Sequence, residues 1–107
     1  HAQRAATGRT PWAAIAHLYE ALVRHFPSVG AEVGRAVALA EQGEIAASLA
    51  ALAALPADSV RAYQPFWVAQ AHGLRLAGRA DEAQAALNRA IGLTDDERVK
   101  RYLRALA

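Results

Sequence analysis

The sequence predicts an all-α domain, about six antiparallel helices in a helical-hairpin repeat, a right-handed superhelix with no sheet. Three observations carry this. Of the 54% of residues that are hydrophobic, half are Ala, 29 in all, so the core has to form by close approach of elements rather than by bulk. Strand formers are thin and never alternate strictly, whereas apolar residues recur at three and four. Finally, a helix–Gly–helix pattern recurs with a shift of 35, pairing Gly43 with Gly78, Ala36 with Ala71, Leu39 with Leu74 and Leu52 with Leu87.

Taken in order, residues 1–9 carry no apolar period and read as a flexible linker or remnant; a single domain is expected over 10–107. Thr10 as cap and Pro11 in the first turn open a helix with the stripe Trp12, Ile15, Leu18, Tyr19, Leu22, Val23 and Phe26, which Pro27 ends. Ser28 caps a second helix through Val29, Val33, Ala36, Val37 and Ala40, stopping at Gly43. A third, with Ile45, Leu49, Leu52 and Leu55, runs up to Pro56. The fourth starts between about Ser59 and Gln64, takes Pro65 in its first turn, and carries Phe66, Trp67 and Leu74 to a stop at Gly78. The fifth runs from about Ala80 to Gly92 around Ala83, Leu87, Ala90 and Ile91. Thr94 and Glu97 read as a capping box for a sixth, with Val99, Tyr102, Leu103 and Leu106 inward.

Composition excludes several classes. With no Cys there is no disulfide framework, thiolate metal site or Cys nucleophile. Net charge of +2 is too small for a polycation that wraps nucleic acid. No apolar run reaches the ~18 residues of a membrane span, so a cytoplasmic location and no membrane partner are expected. A chain that opens on His1 and holds no Met predicts a piece of a longer protein.

Chemistry is sparse. His17, His25 and His72 lack metal-ligand spacing, no Ser lies in a Gly-flanked nucleophile elbow, and Gly30–Gly34 lacks the Lys-Ser/Thr ending of a phosphate loop. No catalytic residue, metal or cofactor is expected. Asp81, Glu82, Asp95, Asp96 and Glu97 are read as first-turn acids offsetting the helix dipole. On the last helix Arg98, Lys100, Arg101 and Arg104 lie off the apolar stripe, either a solvated face or an auxiliary contact for phosphate or an acidic partner.

Trp67, Ala71, Leu74, Gly78, Ala83, Leu87 and Ala90 follow the tetratricopeptide order, and Trp12, Ile15, Ala16 and Tyr19 give its opening half. The alternative is an Ala-rich bundle whose repeat is accidental. In tetratricopeptide hairpins the first helix lines a concave groove, which points to His17, Glu20, Val33, Val37, Glu41, Val68, His72 and Arg75 as partner contacts, or else as residues facing water.

The blocks TPWAAIAHLYEALVRHFPS, GRAVALAE and YQPFWVAQAHGLRLAGRADEAQAALNRAIGLTDDERVKRYLRAL together resemble the tetratricopeptide-like C-terminal extension of extracytoplasmic-function sigma factors of bacterial RNA polymerase. Departures are Gly34, where an Asn is expected before Arg35, and Pro65, Phe66 and Trp67 in place of softer aliphatic or His positions. The resemblance implies a non-enzymatic regulatory domain that docks on sigma regions two and four of its parent chain or on the polymerase core. DNA would then be met by the parent's regions rather than by this domain. The alternative is a free-standing adaptor for an unrelated complex, and in either case an exposed end of the repeat allows self-association.

Overall fold

The computed structural model describes residues 10–107, and the expected linker at 1–9 lies outside the described residues. Among those described there are seven helices and no strand: α1 (Trp12–His25), α2 (Val29–Glu41), α3 (Ile45–Ala53), α4 (Ala57–Val60), α5 (Gln64–Leu76), α6 (Ala80–Gly92) and α7 (Glu97–Arg104). The all-α expectation therefore holds, with one more helix than expected.

The repeat is built into the backbone. After α2, Gly43 takes φ 88°, and after α5, Gly78 takes φ 78°, the left-handed region where a Cβ would be strained. That conformation turns the following amide back onto the helix just ended. Glu44 N donates to Leu39 O at 2.9 Å, and Arg79 N donates to Leu74 O at 2.9 Å, the same closure 35 residues on. The next helix is engaged alike, by Ser48 N to Glu44 O and Ala83 N to Arg79 O, both 2.9 Å. Each turn folds its two helices against each other, giving the hairpins α2/α3 and α5/α6, and α5 packs on both α2 and α3.

Small residues make these approaches possible. Ala36, Ala38 and Ala90 are wholly buried, and the Ser48 hydroxyl, buried between α2 and α3, donates to Ala36 O at 2.6 Å. Two core clusters follow the hairpins: Val33, Ala36, Leu52, Leu55, Val60, Phe66 and Ala69 in one, Ala71, Leu74, Ala83, Ala86, Leu87, Ala90 and Leu103 in the other. Trp67 packs against both.

Several local expectations are corrected. Pro11, not Thr10, is the cap residue of α1, and no side chain caps that end; Trp12 N instead donates to Thr10 O at 2.9 Å. The α1 stripe is only partly covered, because its chief partner is α2 alone: Ala16 is its single buried residue, while Leu18 and Phe26 are 58% and 74% exposed. α3 ends at Ala53, short of Leu55, and Pro56 opens the short α4, a separate helical turn ahead of the helix expected to start between about Ser59 and Gln64. Its Asp58 accepts from Arg61 Nη2 at 2.5 Å. The Thr94–Glu97 capping box is absent: Thr94 Oγ1 accepts from Asp96 N at 3.2 Å, and Asp96 caps α7 by accepting from Arg98 N at 2.8 Å. Asp95 and Asp96 thus precede α7, whereas Asp81 and Glu82 do lie in the first turn of α6. There Arg79 donates twice to Glu82 at 2.7 Å, and these bonds hold the Glu82 carboxyl below its ordinary range. The expected Ser28 cap is present, accepting from Ala31 N at 3.0 Å.

Gly34 has a second role for small residues, the seating of α1. A Cβ built there would lie 2.5 Å from Tyr19 Cζ, so the Tyr19 ring rests directly on the α2 backbone. Gly34→Ala gains helix propensity but overpacks this seat, and a net loss of about 1–3 kcal/mol in the urea unfolding free energy is expected. Removing the ring first, as Tyr19→Ala, should make Gly34→Ala neutral or stabilising in the same measurement. At the two turns, Gly43→Ala and Gly78→Ala should each cost about 1–2 kcal/mol by the left-handed penalty alone, because open space surrounds both positions. Equal costs in thermal unfolding are expected if the two turns are equivalent.

Candidate functional site

An apolar concavity of about 450 Å³ runs between α2, α5 and α7. Its first wall is Val33 and Val37, one turn apart on α2, and its floor is Pro65, Val68 and Ala69 on α5. The far wall is Val99, Tyr102 and Leu103 of α7, and its lining is nearly all apolar. Spacing explains the assembly. Val33 and Val37 are four apart, as are Pro65 and Ala69, so each pair shares one helix face, and the packing of α2 on α5 brings the two faces side by side.

Two polar side chains lining the groove, Gln64 and His72, belong to α5. His72 Nε2 and Glu41 Oε1 share a hydrogen bond of 2.5 Å that ties α5 to the last residue of α2, with both side chains half-buried. Gln64 lines the groove near the start of α5, and its Nε2 donates to Ala90 O of α6 at 2.8 Å.

Of the contacts expected from the sequence, Val33, Val37, Val68 and His72 line this groove, and Glu41 joins them through His72. Arg75, one turn beyond His72, is exposed and outside the lining. His17 and Glu20 are exposed on α1 and also outside it. The reason is topological: the duplicated hairpins are α2/α3 and α5/α6, so α1 is not the first helix of a duplicated pair. It is seated by Tyr19 on Gly34 instead.

The basic face of α7 is thinner than its sequence implies. Lys100 pairs with Glu97 at 3.6 Å and Arg98 lies 3.7 Å from Asp96, leaving Arg101 and Arg104 exposed without a carboxylate partner among the described residues. Tyr102, expected inward, is 67% exposed and forms the groove rim. Sequence reasoning missed that α7 supplies a wall, because the inward stripe of a last helix carries no mark of whether it fills a core or borders a cleft. Leu103 does both, being buried in the second cluster while lining the groove.

A second cavity, about 410 Å³, opens where α3, α4, α5 and α6 meet and shares no residue with the groove. The Trp67 indole borders it, donating from Nε1 to Val60 O and Arg61 O at 3.1 Å each. Phe66 meets Trp67 edge to face at 5.0 Å between centroids.

No three His, Asp or Glu side chains among the described residues are grouped to hold a metal ion, and no described helix is long and apolar enough to cross a membrane. Compared with protein-family models, curated proteins and solved structures, the chain matches none of them. The Val68 floor allows a direct test of groove character. Val68→Ser should lower the binding of a solvatochromic apolar dye such as 1-anilinonaphthalene-8-sulfonate, whereas Ala47→Ser, on the exposed side of α3, should leave it unchanged.

Proposed function

We propose that this chain is a protein-docking domain with a regulatory role, the tetratricopeptide-like extension of an extracytoplasmic-function sigma factor. The observation that carries the docking part is the apolar groove formed by Val33, Val37 and Val68 of the two hairpins' first helices, with the His72–Glu41 pair among them. An apolar floor with few oriented polar groups suits a short protein segment held by side-chain burial. The equivalent turns at Gly43 and Gly78 support a superhelical repeat of the tetratricopeptide kind. The sigma-factor part rests on the order and spacing of the sequence blocks quoted above. The partners are regions two and four of the parent chain or the polymerase core, and the setting is the bacterial cytoplasm. Regulation then follows from differential contact. A segment held in the groove in only one arrangement of the two regions shifts the population toward or away from promoter competence.

Sequencing the reading frame upstream of His1 is the first test. Regions two and four encoded there support the sigma reading; a start codon without them favours a free-standing adaptor using the same groove. Given such a parent, Val68→Asp should weaken binding of the isolated sigma regions or of core polymerase about tenfold or more, as expected for a charge placed on a buried apolar contact. Replacing His72 and Arg75 together by Ala should weaken it less, with far-ultraviolet circular dichroism unchanged in both variants. Undiminished binding in both well-folded variants would remove the groove from the proposal.

A further inference from the structure

The second cavity combines features that the groove lacks. Its floor is apolar, from Leu52, Leu55, Val60 and Phe66, and two guanidinium groups, Arg61 and Arg89, stand at its edge. They are not equivalent. Arg61 is neutralised by Asp58 at 2.5 Å. Arg89 lies over the Trp67 ring, 5.2 Å from its centroid, and Nη2 donates weakly to Arg61 O at 3.3 Å. Among the described residues it has no carboxylate partner. The Trp67 ring is itself pinned by its two bonds to the Val60 and Arg61 carbonyls, so the guanidinium is held in a defined place beside an apolar hollow.

The geometry points to this cavity as a second docking site, for a peptide segment of a protein partner that carries a large apolar side chain next to a carboxylate. The side chain fills the hollow over Leu52, Leu55 and Phe66, and the carboxylate takes the donors of Arg89 that the Arg61 carbonyl leaves free. Charge complementarity selects the occupant. Asp58 already cancels Arg61, so the cavity edge carries the single uncompensated charge of Arg89. The chain's own residues 1–9 contain Arg4 and Arg9 and no acid, so their composition cannot supply the carboxylate. A bare apolar segment would leave the oriented cation unused, and a bare anion would leave the hollow unfilled. The site is separate from the groove, so its failure and the failure of the groove reading are distinguishable.

The test uses the whole chain with Trp12→Phe, which leaves Trp67 as its only tryptophan. Titration with acetyl-Ala-Phe-Glu-Ala-amide should give a saturable change in Trp67 fluorescence and in the indole Nε1–H resonance. Acetyl-Ala-Phe-Gln-Ala-amide should bind at least about tenfold more weakly, the loss of a charge-assisted hydrogen bond. Arg89→Gln should abolish the preference for the Glu peptide, and Arg89→Lys, which keeps the charge but loses the planar fork, should retain part of it. Ala47→Ser, on the exposed side of α3 and outside both cavities, should leave this binding unaltered. Equal affinity for the two peptides, no saturable response to either, or an undiminished preference in Arg89→Gln would overturn the proposal. So would saturation by 3-phenylpropionate alone, which would make the occupant a small carboxylate rather than a peptide segment.

Discussion

Everything in this fold depends on how closely its helices approach. With 29 Ala among 107 residues, the helices of the two hairpins meet largely through small side chains, too small to fill an ordinary gap. The gap therefore closes. Ala36, Ala38 and Ala90 are fully buried at the crossings, and Gly34 brings Tyr19 directly onto the α2 backbone. Ser48 shows how narrow the gap is. Its hydroxyl reaches across from α3 to a carbonyl of α2 at 2.6 Å, and the position 35 residues on, in the second hairpin, is the buried Ala83. A residue larger than either would force the pair apart.

Close pairs leave wedge-shaped gaps between successive hairpins, and the few large residues are spent there. Trp67 is the chief of these. It contacts both core clusters, ties the α4 segment to α5 through two carbonyls, and supports Arg89 from α6 on its face. Thus one side chain joins the two hairpins and the connection between them. The same economy makes α5 a two-sided element. Val68 and His72 face the groove, Phe66 and Trp67 face the second cavity, and the helix between them has little freedom to shift because Gln64 bonds to α6 and His72 to α2.

What the sequence made legible follows from the range over which each signal acts. The turns at Gly43 and Gly78, the Ser28 cap and the stop near Pro27 are decided within a few residues, and the structure has them. So are the hairpin cores, whose Ala and Leu positions repeat at fixed spacing. The misreadings lie where two local signals compete or a distant partner decides. Thr94 and Asp96 both offer an oxygen to the start of α7, and Asp96 takes it because its own turn is set by Thr94. The α1 stripe has correct helical spacing, yet spacing does not say how many neighbours arrive to cover it, and Phe26 remains exposed. Four of the eight expected groove contacts line the concavity because α2 and α5 are the repeated first helices, and Glu41 follows through His72. His17 and Glu20 fall elsewhere because α1 only resembles one in its opening residues. The Trp67–Arg89 arrangement spans 22 positions and two helices, and no local pattern announces it.

The disposition of charge bears on what such a surface can do. Most of the carboxylates that have a defined role serve a cap or a pair: Asp96 on the α7 amide, Glu82 with Arg79, Asp58 with Arg61, Glu97 with Lys100, Glu41 with His72. Of these only Glu41 with His72 joins two helices; the others act within one helix or at its ends. The surface left uncommitted includes an apolar groove without a covering element and a cation stacked on an aromatic ring beside an apolar hollow. The first is apolar surface left open to water, and the second is a positive charge with no carboxylate beside it among the described residues. Ala closes the helix crossings, and of the large apolar side chains Phe66 is buried between the hairpins while Tyr102 and Phe26 stay exposed. Because α2 and α5 pack side by side, their apolar faces meet in one concavity rather than in two separate strips, so the same close packing that fills the interior also shapes the groove.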